Sequence, residues 1–124
     1  MKQIIKRHHI SIQNALQGMK WGISTQPNFQ VHFLLSFLAV LTGLYLGLNS
    51  TEWVLLIFTI FWGLSAEFAN TAIEATCDAI TTEWRKEIKI AKDVAAGMML
   101  IVALGSIVVA WLLLGTKLLV RLGI

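Results

Sequence analysis

At 124 residues the chain has room for one domain, and a composition 56% hydrophobic against 14% charged excludes a water-soluble one. A soluble domain of this size has too little interior to hide so much apolar side chain, whereas lipid accepts it. The net charge of +3 matches nucleic acid in sign, but its positions beside apolar runs make it a topology signal, and no nucleic-acid partner is expected.

Residues 3–24 predict an amphipathic helix. At 100° per residue Ile5, Ile12, Leu16, Met19 and Ile23 share one face, and Lys6, Gln13, Gln17 and Lys20 lie about a quarter-turn away. Such a basic helix ahead of a span lies in the headgroup plane. These first residues are polar and basic with no apolar core, so no secretory leader is expected. Thr25, Gln26, Pro27 and Asn28 interrupt the pattern, because proline does not continue a helix from its interior.

Residues 29–48 predict the first membrane span, with Gly43 and Gly47 at a small-xxx-small spacing that permits close helix approach. Asn49 to Glu52 reads as a short turn without basic residues, the composition of an outer loop. Residues 53–80 form the second span and 94–115 the third. Lys2, Lys6, Arg7 and Lys20 precede the first span, and Arg85, Lys86, Lys89 and Lys92 lie between the second and third. Basic segments stay inside, so the amino terminus is expected in the cytoplasm and the carboxyl terminus outside. Only Lys117 and Arg121 fall elsewhere. Trp53 and Trp111 mark one interface, Trp21 and Trp84 the other. The expected fold is all-α and integral to the membrane: a single domain, 1–124, of three transmembrane helices preceded by an amphipathic surface helix.

The second span has an apolar half and a polar half. Glu67, Asn70, Glu74 and Asp78, at spacings of three, four and four, fall within about 80° on one face. A charged side chain at the helix centre in a membrane costs roughly 2.5–3.5 kcal/mol, less near the interface. Mutual repulsion adds to that cost, so the stripe demands a counter-charge. Lys92 and Asp93, at the entrance of the third span, are one source. A hard divalent cation such as Mg²⁺, which prefers carboxylate oxygens and accompanies nucleotide phosphates, is another. Metal, base and lysine together are the parts of phosphoryl transfer. No glycine-rich phosphate loop is present, so an ATP site here is neither a Walker nor a protein-kinase site. Taken by spacing alone, the stripe also fits carboxylates paired between packed helices, or a proton or ion pathway.

Glu67, Asn70, Thr71, Ala72, Ile73, Glu74 and Asp78, followed by Ala91, Lys92, Asp93, Val94, Ala95, Ala96 and Gly97, resemble the signature of the small bacterial diacylglycerol kinases, a family that includes undecaprenol kinases. The resemblance covers most of the chain. It implies a Mg²⁺- and ATP-dependent kinase that phosphorylates the hydroxyl of a membrane lipid, diacylglycerol or undecaprenol, in a homotrimer with sites between neighbouring subunits. By this resemblance Glu67 is the base, Glu74 holds the metal, and Asn70, Lys92 and Asp93 orient phosphates and base. Arg7, Asp78 and Glu83 correspond to nucleotide-contacting positions. The motif forms resemble the undecaprenol branch slightly more. One departure stands out: Gln26 occupies a position where relatives commonly carry a metal-binding glutamate, leaving a neutral carbonyl in place of a charged ligand. The alternative from another class is a helical scaffold or ion-conducting oligomer. His8 and His9 read as a solvated pair, His32 has no evident partner in the sequence, and Cys77 reads as a small packing residue.

Overall fold

The computed structural model describes the backbone of residues 2–124 and the side chains of residues 10–124. Helix α1 (Lys2–Thr25) runs to the Gln26–Pro27 break. Proline disfavours helical geometry in the residue before it, and Gln26 is extended at φ −105°, ψ 113°. The Ser24 and Thr25 hydroxyls donate to the Trp21 carbonyl at 3.0 and 2.8 Å, which occupies an acceptor in the last turn. Pro27 then opens α2 (Pro27–Leu46), where its missing N–H leaves nothing unpaired. Twenty helical residues rise about 30 Å, the thickness of the hydrocarbon layer.

Gly47 ends α2 in the left-handed conformation, φ 67°. Its N–H bonds the Leu44 carbonyl, and the Leu48 N–H bonds that of Gly43, the paired closure that favours glycine at this position. The Asn49–Glu52 stretch, expected as a turn, is instead the cap and first turn of α3 (Ser50–Ile80). The Asn49 side chain accepts from the Glu52 N–H at 3.0 Å, and Glu52 Oε2 accepts from the Asn49 N–H at 2.7 Å. This capping box draws the polar residues into the helix, and the connection shrinks to three residues.

After a loop, α4 (Lys86–Ala110) passes through a π-helical turn (Trp111–Gly115) into α5 (Thr116–Leu122), forming one continuous span. The apolar run 94–115 is only the middle of this rod. Lysine and glutamate are good helix formers, so the charged residues before Val94 extend the helix that hydropathy alone does not mark.

Three helices are thus long and apolar enough to cross a membrane, and most of their surface is not covered within the chain. Phe58, Phe61, Ile101 and Ile107 point outward, a face that lipid or neighbouring chains tolerate and water does not. α3 packs chiefly on α4 and less extensively on α2, and α1 touches α2 and α3 at the corner. At the end carrying the α2–α3 hairpin, Leu48, Leu56 and Leu114 form a small apolar cluster with Trp53 and Ile60 against it. Lys117 Nζ meets Glu52 Oε2 at 2.7 Å there, and Arg121 donates to the Tyr45 carbonyl at 2.9 Å while lying 4.4 Å from the Tyr45 ring centre. The two basic residues that break the topology pattern are thereby partnered.

At the opposite end Phe29 is fully buried, its ring 4.4 Å from that of Phe68. Gly22 lets α1 approach both: a Cβ there would stand 3.0 Å from Phe68 and 3.3 Å from Phe29. The small-residue pair divides its roles. Gly47 serves the cap, while Gly43 serves close packing, since a Cβ on it would stand 2.9 Å from Leu48 and 3.2 Å from Trp53. Gly43→Ala is therefore expected to destabilise the protein by about 1–3 kcal/mol, the usual cost of overpacking, measured by unfolding in detergent micelles.

Candidate active site

At 1.5 Å per residue the 31 residues of α3 rise about 46 Å, well beyond a hydrocarbon layer of about 30 Å. Counted from the capping box, hydrocarbon ends near Asn70. Glu74 and Asp78 lie about 6 and 12 Å further along the axis, where phosphates and water are accessible. The helix is a ladder of polar groups that starts at the edge of the oil and climbs out of it.

The lower rungs open into a groove of about 460 Å³ between α2, α3 and α4. Asn28, Val31 and His32 form its α2 wall, and Glu67, Asn70 and Glu74 its α3 wall. The α4 wall, including Ala96, Met99, Leu100 and Ala103, is apolar. The Glu67 side chain is 3% exposed, and its nearest charge partner is His32, with Nε2 3.9 Å from Oε2. Asn70 donates from Nδ2 to Glu74 Oε1 at 2.9 Å, which fixes the Glu74 carboxylate on the groove side. The other end of the Asn70 amide, Oδ1, is buried and has no hydrogen-bond partner. A buried acceptor without a donor costs about 1–3 kcal/mol, a cost found where a ligand or function compensates.

Beyond the groove, Lys92 Nζ reaches Asp78 Oδ1 at 2.6 Å, tying the start of α4 to the end of α3. The lysine thus does stand beside the acidic stripe. Asp93 does not join the groove: it turns to Lys89, one helical turn earlier, with its side chain largely exposed. Glu83 lies exposed in the α3–α4 loop, its N–H donating to Thr81 Oγ1. Gln26, half-buried, is the N-cap residue of α2 and does not line the groove. Arg7 lies outside the residues whose side chains are described. Among the described residues, no three His, Cys, Asp or Glu side chains stand close enough to hold a metal unaided.

The residue that sequence reasoning left without a partner is His32. Its signal was the short α2–α3 hairpin. Folding back about Leu48 sets residue 32 opposite residue 64, within one helical turn of Glu67.

A buried carboxylate (Glu67), a half-buried one (Glu74), an amide and a lysine along one end of the bundle are suited to handling a hydroxyl on the lipid side and phosphates on the water side. Residues 13–114 match the family described as prokaryotic diacylglycerol kinase. The chain belongs to that family. Undecaprenol kinase from Bacillus subtilis is 32% identical over 92% of this chain and 93% of its own length. A diacylglycerol kinase from Synechocystis is 31% identical over 85% of this chain and 61% of its own length. One from Helicobacter pylori is 29% identical over 77% and 75%. The protein is a lipid kinase, which implies use of ATP, and its family decides against a scaffold or ion-conducting oligomer.

Among the described residues, the bond from Asn70 to Glu74 is the one hydrogen bond within the groove wall that fixes a carboxylate. Asn70→Leu should lower kcat/KM roughly 10- to 150-fold, the equivalent of the 1.5–3 kcal/mol of a hydrogen bond to a charged group, as read in a lipid phosphorylation assay.

Proposed function

We propose that this kinase transfers the γ-phosphate of ATP to the hydroxyl of a membrane lipid held in the α2–α3–α4 groove, with Glu67 as the base. The observation that carries the reading is the shared groove of Glu67 and Glu74, one carboxylate buried at the hydrocarbon edge and the other two rungs nearer water. Glu67 takes the hydroxyl proton as the lipid oxygen bonds to the γ-phosphorus and the bond to the β,γ-bridging oxygen breaks, releasing ADP. The apolar α4 wall lies against the lipid chain and excludes water, which disfavours ATP hydrolysis.

The donors present suit Mg²⁺. The Glu74 carboxylate and the unpartnered Asn70 amide oxygen are hard ligands, and Mg²⁺ needs only one or two carboxylates when phosphates and water complete its shell. When bound, the ion neutralises charge on the transferring phosphate. Glu74 is the principal protein ligand, and Gln26 is a neutral candidate for a second. Lys92 binds phosphate oxygens, exchanging Asp78 for them. Asp93 supports the phosphate end, and Arg7, Asp78 and Glu83 contact the nucleotide.

The α1 end faces the cytoplasm of the bacterial cell, where ATP is, with α1 in the headgroup layer and the carboxyl terminus outside. The uncovered apolar faces of the three spans fit a homotrimer with sites between neighbours. The preferred acceptor is undecaprenol. The near end-to-end match to an undecaprenol kinase supports it, although the identities to diacylglycerol kinases are similar.

The test is purified protein with labelled ATP, Mg²⁺ and either undecaprenol or diacylglycerol. Label should enter the polyprenol faster, and Glu67→Gln should lose roughly 10²- to 10⁴-fold in kcat, the range for general base catalysis. Equal labelling by both proteins removes Glu67 from the base role. Gln26→Glu should lower the Mg²⁺ concentration needed for half-maximal rate, and an unchanged titration removes Gln26 from the metal shell.

A further inference from the structure

A base that is 3% exposed takes a proton in every turnover and must lose it before the next. Bulk water does not reach Glu67 directly, and among the described residues no hydrogen bond reaches its carboxylate. The groups facing it can be taken element by element. α4 presents Ala96, Met99, Leu100 and Ala103, none of which accepts a proton. α3 presents the Asn70 amide and Glu74, the latter already engaged by Asn70. α1 reaches this corner through Gly22, which carries no side chain. α2 presents Asn28 and His32.

His32 differs from the others in chemistry and in position. Neutral imidazole has an acceptor nitrogen, and it is the side chain best suited to shuttling protons near neutral pH. Its Nε2 is 3.9 Å from Glu67 Oε2, and its side chain is 28% exposed, about nine times the fraction for Glu67. Asn28 lies one turn nearer the α1 end of the same groove and is itself exposed. Gly63 lies beside the ring, and even a Cβ there would leave Nδ1 3.8 Å away, so the imidazole has room to close the remaining distance. Catalytic hydrogen bonds are often long before substrate binds and shorten in the complex.

We propose that His32 is the proton outlet of this kinase: it takes the lipid hydroxyl's proton from Glu67 at Nε2 and gives it to water at the Asn28 end of the groove. The inference rests on Glu67 acting as the base. His32 does not touch the reacting atoms, so it is a positioning and relay residue that acts through Glu67. The balance is complete: the hydroxyl proton goes to the carboxylate, then to the imidazole, then to water, and the carboxylate returns to its starting form.

The experiment compares His32→Gln and His32→Phe with the parent enzyme in detergent micelles, at saturating ATP and lipid, with and without added imidazole. Glutamine keeps polarity and approximate size but is not a proton acceptor at neutral pH. Phenylalanine keeps the ring. Both variants should lose about 10²-fold in kcat, the low end for a proton-transfer group, with KM for ATP and lipid held. Added imidazole should restore a measurable part of kcat in both and leave Glu67→Gln inactive. Parent-like kcat in His32→Gln overturns the outlet, as does a loss that imidazole does not relieve. Failure of the underlying reading looks different. Full activity in Glu67→Gln removes base and outlet together, whereas an inactive Glu67→Gln beside a fully active His32→Gln removes the outlet alone.

Discussion

Glu67 lies where three membrane helices meet at the limit of the hydrocarbon, and holding an ionisable side chain there constrains the elements around it. Insertion scales put the cost of a charge at the centre of a span at roughly 2.5–3.5 kcal/mol, and the boundary position lowers it. Packing holds the carboxylate in place with no hydrogen bond to it among the described residues, its nearest ionisable neighbour being His32 at 3.9 Å. Phe29 and Phe68, their rings tilted against each other with centroids 4.4 Å apart, pack α2 on α3 at this end of the protein. Gly22 admits α1 to the same end, so the break at Pro27 and the Phe29–Phe68 contact belong to one packed unit. The polar partners are displaced by one turn: Asn70 attends Glu74, and Lys92 attends Asp78.

Much of this was legible in the residues. Apolar runs marked three spans because lipid imposes a length and a composition that few soluble helices meet. The stripe at 67, 70, 74 and 78 was visible because helical periodicity turns spacing into a face. Helix ends were less legible, for a specific reason. Hydropathy reports which residues tolerate lipid, whereas helix formation follows propensity and capping, so α4 extends through Lys86–Asp93 and α3 absorbs Ser50–Glu52. The fate of the Lys92–Asp93 pair was half legible: adjacent residues on a helix point about 100° apart, so one reaches α3 and the other does not. His32 was hidden because its meaning depends on a contact between helices, which periodicity within one helix does not carry.

The charges also sort by end. At the hairpin end Lys117 is matched by Glu52, and Arg121 is taken up by a carbonyl and an aromatic face. At the α1 end Lys92 and Asp78 pair across half-exposed side chains. An exposed pair of that kind holds with little free energy.

The π-helical turn Trp111–Gly115 has a consequence for how one rod serves two ends. A turn of this type accommodates roughly one residue more than an α-helical turn, which advances everything after it by about 100° in phase. Ahead of it α4 turns Ala96, Met99 and Ala103 to the groove, and beyond it Lys117 faces Glu52. The extra residue works as a clutch between two gears, letting the far segment mesh with the hairpin while the near segment keeps its small residues toward the groove.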